Sequence, residues 1–173
     1  MQALYGILAM AVVAILSLTV MRASRSTDTS IRMNEITTQM SGVGVDVLEA
    51  IGREPFDSET DTTKVSTFPA VTSPAQLTDE GSFGGCASFS ACEDVDDFDD
   101  LTFTRQLDGF SYVIEIQVRY VDEDQPDVYA GTQTYAKEVR ALITNQHVYL
   151  GNPSNLLTVE MRRVITYDKV TST

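Results

Sequence analysis

Histidine occurs once in the 173 residues, as His147, and cysteine twice, as Cys86 and Cys92. A single imidazole, with no Gly-x-Ser-x-Gly segment and no glycine-rich phosphate loop, offers no arrangement for nucleophilic or phosphoryl chemistry. No catalytic residue is assigned, and the chain is read as a non-enzyme. A zinc site wants four ligands, and His147 is far from the cysteines in sequence. The haem-attachment pattern C-x-x-C-H is absent, and so is any Asn-x-Ser/Thr acceptor, because Pro153 spoils Asn152-Pro153-Ser154. Basic residues are scarce, 12 Lys and Arg against 25 Asp and Glu, for a formal net charge of −13. Such a surface repels nucleic-acid phosphates, and no basic cluster is available for anionic lipid. No cofactor is required, and no nucleic-acid partner is expected.

Charge is missing altogether from residues 1–21, where almost every position from Ala3 onward is apolar. At about 1.5 Å per residue such a helix matches the roughly 30 Å hydrocarbon core of a bilayer. Proline is missing from residues 1–54. Beyond Arg22 and Arg25, Met33, Ile36, Met40, Val43, Val47 and Ile51 recur at spacings of three and four, one face of an α-helix. Segment and stripe read as one rod of roughly 50 residues, weakened at Gly42 and Gly44. A cleaved signal peptide fits less well, since no Lys or Arg precedes Ala3 and the apolar run continues into an amphipathic helix. Arg22 and Arg25 conflict with export of the C-terminal bulk of the chain unless a basic leader was removed before residue 1.

Arg53 to Pro55 ends the helix. Residues 56–85 read as a long polar loop with anchors at Phe56, Val65, Phe68, Val71, Leu77 and Phe83, and with hydroxyls that could carry O-linked sugar. Cys86 and Cys92 are read as one disulfide closing a small loop, with free buried thiols as the alternative. The segment C-E-D-V-D-D-F-D-D comes next in the chain. Its carboxylates repel unless solvent, a cation or backbone amides offset them, which makes Asp94, Asp96, Asp97, Asp99 and Asp100 candidate calcium ligands. The spacing is not an EF-hand, and a solvated acidic turn is preferred. Val95 and Phe98 would pin one helical turn to the core while the acids face outward.

From residue 101 the period becomes two. Leu101 and Phe103 open a short strand. Tyr112, Ile114, Ile116, Val118 and Tyr120 mark one face of the next, then Tyr135, Val139, Ala141 and Ile143, then Leu157, Val159, Met161, Ile165 and Tyr167. Short connections, one at Asn152-Pro153, give an antiparallel meander. The expected fold class is α+β, a long N-terminal hydrophobic α-helix packed through its C-terminal half on an antiparallel β-sheet. Its spine is residues 1–54, with 1–26 as membrane or filament core and 27–54 packed on the head. Residues 55–173 form the head, divided into a variable loop at 55–100 and a sheet at 101–168.

The uncharged N-terminal segment, its uninterrupted continuation and the C-terminal strands together resemble a type IV pilin or pilin-like protein. The family usually has Glu at the fifth mature position, where this chain has Tyr5, and commonly a Pro near position 22, where it has Arg22. The resemblance implies processing by prepilin peptidase, a modified and methylated N-terminus at Met1, and single-pass residence in the inner membrane before assembly. It also implies partners in the assembly machinery and an extracellular filament, or fimbrium, of identical subunits. Leu4, Tyr5, Gly6, Leu8, Val12 and Ile15 are then the filament core. The function expected is that of a structural filament subunit. The alternatives are a minor pilin or type II secretion pseudopilin, and a single-span anchored, calcium-dependent binding domain.

Overall fold

A computed structural model of the chain describes residues 2–60, 71, 73–149 and 156–167. Side chains in the first helix are described from residue 10 onward, except 11, 12, 23 and 25–29. The chain divides into two compact units, Met1–Gln39 and Met40–Thr173. One helix, α1 (Gln2–Ile51), begins in the first unit and ends in the second.

In the first unit the hydroxyls of Ser17 and Thr19 donate back to the carbonyls of Val13 and Leu16, at 2.9 and 2.8 Å. Polar side chains are thereby satisfied within the helix itself. The large apolar residues Met10, Val13, Ile15, Leu16, Leu18, Val20 and Met21 all stand exposed.

In the second unit, the head, the last three turns of α1 bury Met40, Val43, Val47, Leu48 and Ile51. At Gly44 the helix backbone lies close against sheet side chains. A Cβ there would lie 2.6 Å from Met161 Sδ and 2.9 Å from Ile143 Cδ1. The helix stops at Gly52, Arg53 and Glu54, where Arg53 and Glu54 amides turn to carbonyls three residues back. Arg163 donates to the Leu48 carbonyl at 3.4 Å, giving one C-terminal carbonyl a cationic partner.

The sheet has four antiparallel strands in chain order, β1 (Thr102–Leu107), β2 (Phe110–Tyr120), β3 (Ala136–Tyr149) and β4 (Leu156–Thr166). Asp108 and Gly109 join β1 to β2, both with positive φ, the two-residue hairpin in which Asp-Gly is favoured. Cross-strand pairs Ile114↔Ile143, Ile116↔Ala141 and Val118↔Val139 set the register on the buried face. The long connection between α1 and β1 is held by short 3-10 turns, and by Phe56, Val71 and Leu77, which pack with Tyr120 and Tyr135. Val65 and Phe68, like the Asn152-Pro153 turn, lie outside the described residues.

The expected fold class requires correction. Among the described residues no helix is long and apolar enough to cross a membrane. Ahead of Arg22 the described side chains are those of Met10 and residues 13–21, a run shorter than a bilayer span. Nor does α1 belong to the head through a whole C-terminal half. The head begins at Met40, whereas Met33 and Ile36, expected in the same buried stripe, fall in the first unit and are only partly buried. The description as a long hydrophobic helix packed in pilin-like fashion on a sheet therefore does not stand. The head is a four-stranded meander that contains three helical turns.

Because Val47 is buried where α1 meets the head, Val47→Asp places an unpaired carboxylate in the core. It should cost about 3 kcal/mol or more and abolish cooperative thermal unfolding of the head, read by circular dichroism.

Candidate functional site

Strand β3 alternates Lys137, Val139, Ala141, Ile143 and Asn145 on its core face, and Tyr135, just before the strand, keeps the same period; all six are buried. A lysine is therefore placed by strand period among apolar neighbours. Across the ladder it faces Tyr120, the last residue of β2. Lys137 is 0% exposed.

An ammonium group in that position requires partners, and loops supply them. Asp57 sits in the turn just after α1 and Asp96 opens the 3-10 turn Asp96–Phe98. Lys137 Nζ donates to Asp96 Oδ1, to the Phe56 carbonyl at 2.8 Å and to Asp57 Oδ2 at 3.4 Å. Asp57 is 0% exposed and Asp96 3%. Aromatic rings close the enclosure. Nζ lies 4.2 Å from the Phe56 centroid, 5.1 Å from Tyr120 and 5.3 Å from Phe83, within cation–π range.

Backbone contacts lock the Asp57 carboxylate and the main chain at Asp96. Asp57 Oδ1 accepts from Glu59 N at 3.0 Å and Oδ2 from Thr78 N at 2.8 Å, and Thr78 O in turn accepts from Tyr120 Oη. The Asp96 carbonyl accepts from Gly84 N at 2.8 Å. Gly84 has positive φ, and a Cβ there would lie 2.8 Å from the Asp99 carbonyl oxygen, so the loop–turn contact requires glycine. Val95 N donates to the Pro55 carbonyl at 3.0 Å, which brings the two carboxylate-bearing segments side by side.

The two acids are driven apart in pKa. Burial pushes the Asp96 carboxyl up to about 8; the charge and hydrogen bond of Lys137 oppose this, while the carboxylates of Asp57 and Asp94 reinforce it. Burial also acts to raise Asp57. The amides of Thr78 and Glu59, with Lys137, outweigh it and hold Asp57 below its ordinary value. One acid is thus disposed to keep a proton and the other to lose it. Asp96 Oδ2 itself has no acceptor or donor partner among the protein groups.

The five candidate calcium ligands divide. Asp94 and Asp96 are buried, not outward-facing as an acidic solvated turn would have them, Asp97 and Asp99 are half-buried, and of the five only Asp100 is exposed. Asp94 Oδ1 accepts from the amides of Asp96 and Asp97, Asp97 Oδ2 from Glu93 N, and Asp99 Oδ1 from Val118 N. Burial raises the pKa of Asp94 and of Asp99. Val95 and Phe98 are buried and pin the turn. Among the described residues no group of three or more His, Cys, Asp or Glu side chains is placed to hold a metal ion. Cys86 and Cys92 form a disulfide. Of the expected filament-core residues, Ile15 is exposed, while Met1 and the side chains of Leu4, Tyr5, Gly6, Leu8 and Val12 lie outside the described residues.

Lys137 and Asp57 were not among the residues singled out from sequence. The signal was present in the alternation, since Lys137 occupies an apolar-face position between Tyr135 and Val139. The next residue, Glu138, points to the other face and is also buried. It meets Arg119 Nε at 2.6 Å, Arg140 Nε at 3.1 Å and Arg162 Nη1 at 3.7 Å.

The molecule is thus an α1-bearing chain whose disulfide-closed head seals an amine and two carboxylic groups inside an antiparallel meander. Compared with protein-family models, with curated proteins and with solved structures, the chain matches none.

Lys137→Met leaves Asp57 and Asp96 facing each other without a cation, and should lower head stability by about 3 to 5 kcal/mol in denaturant titration. Asp57, held low, contributes its full share above its ordinary 3.8 and loses it as the pH falls through the lower folded value. The melting temperature should therefore decline as the solution is acidified below 3.8, and Asp57→Asn should flatten that part of the pH profile.

Proposed function

We propose that the chain is a structural subunit of an extracellular filament, of the type IV pilus kind, built from copies of itself through the N-terminal part of α1. The observation that carries this reading is the exposure of Met10, Val13, Ile15, Leu16, Leu18, Val20 and Met21. At 100° per residue these positions point in several directions around the helix, so one groove on one partner would leave some of them wet. A bundle of equivalent helices covers all of them. Association of this sort joins unlike surfaces and does not close on itself, which yields a helical polymer.

The head suits display on such a polymer. Its disulfide fits an oxidising compartment, and the −13 net charge keeps neighbouring heads apart and soluble. Before assembly the apolar segment would be sheltered at the inner membrane, and assembly machinery would transfer it into the filament. Nothing in this role needs a cofactor or a catalytic residue.

Electron microscopy of material sheared from producing cells, with mass spectrometry of the N-terminal peptide, tests the reading. Filaments containing this chain are expected. With Leu16→Asp, filaments should be lost while the melting temperature of the head stays within about 1 °C of the parent, since Leu16 lies outside the head and exposed substitutions usually change stability little. Wild-type chain found only as membrane-held monomer would sink the filament reading.

A further inference from the structure

Lys137, Asp96 and Asp57 bring an amine, a carboxylic acid and a carboxylate into contact inside an apolar enclosure. In water an amine and an acid rest as an ammonium carboxylate, because hydration stabilises both ions. Enclosure removes that hydration, so the ion pair loses the solvent that favours it in water. A proton passing along the hydrogen bond from Nζ to Asp96 leaves a free amine against a carboxylic acid, and only that combination is reactive.

We propose that Lys137 and Asp96 are a site of self-catalysed cross-linking, at which Nζ and Cγ join in an isopeptide bond with release of one water and Asp57 relays the proton. In the step, the Nζ lone pair adds to Cγ and the carbonyl electron pair moves onto oxygen. Asp57 takes a proton from the nitrogen and returns it to the departing hydroxyl. The C–O bond breaks, water leaves, the carbonyl reforms, and Asp57 is a carboxylate again. Atoms and electrons balance without oxidant, reductant or activated donor.

The geometry selects the partner. Both Asp57 oxygens are engaged by backbone amides, which stabilise its ionised form, and a carboxylate resists attack. Asp96 Oδ2 accepts from no backbone amide, so nothing of that kind holds Asp96 as the carboxylate, and Oδ1, protonated from Nζ, is the oxygen that departs. The pKa directions agree, with Asp96 raised and Asp57 lowered. Fixed contact converts a bimolecular condensation into an intramolecular one, for which effective concentrations reach roughly 10⁵ to 10⁸ M in well-oriented cases. The bond would tie the turn before β1 to the central strand β3, across 41 positions of sequence. It would form inside one head and does not depend on filament assembly.

The test is mass spectrometry of the full chain after disulfide reduction, with a protease digest. A mass one water below that of the sequence is expected, with a branched peptide joining the Asp96 segment to the Lys137 segment. Two linear peptides at full mass would overturn the proposal. So would loss of water confined to a linear Asp96 peptide, which signals cyclisation onto the backbone instead. Lys137→Arg and Asp57→Asn should each restore the missing water. Undiminished cross-linking in Asp57→Asn would overturn the relay. Should neither variant fold, the wild-type digest decides.

Discussion

An ammonium group taken out of water has to be met by anions at close range, and this single requirement organises the head. Lys137 reaches the core because a strand alternates, and nothing local to β3 can neutralise it. The anions come from two loop segments distant in sequence, so those loops must be as fixed as the strands. The Gly84–Asp96 and Pro55–Val95 backbone contacts and the amides gathered on Asp57 fulfil that need. A polar stretch that composition alone would treat as solvated becomes a wall of the core.

The two sides of β3 carry opposite problems. Lys137 faces two aspartates among aromatic rings, whereas its neighbour Glu138 faces three arginines. Sliding β3 by one residue would deliver the glutamate to the aspartates and the lysine to the arginines. Hydrophobic pairing sets the same register, but a slipped apolar pair merely loses packing, while a slipped charge is buried against its own kind. Specificity of strand alignment is thus carried largely by two adjacent residues.

The features legible in the sequence were those with a period or a local marker. The four strands show as alternation, the end of α1 is marked by Arg53 to Pro55, and the two cysteines flanking a short loop pointed to a disulfide. Three things escaped. The depth of α1 in the head could not be read from a stripe whose spacing continues unchanged from Met33 to Ile51, because periodicity marks a face and not its cover. The acidic run read as solvated because carboxylates usually are, and only tertiary placement turns Asp94 and Asp96 inward. Lys137 was passed over within its own strand because a long charged side chain on an apolar face breaks the pattern used to find that face.

The sheet is open, with β1 and β4 at its borders. β1 has six residues, and the middle of β4 reads Glu160, Met161, Arg162, Arg163. Two copies of the head meeting border to border along β4 would set rows of guanidinium groups against one another, and β1 is too short to template a long pairing. Lateral growth into a continuous inter-subunit sheet is thereby discouraged. Heads at high concentration can crowd together while every sheet stays with its own chain.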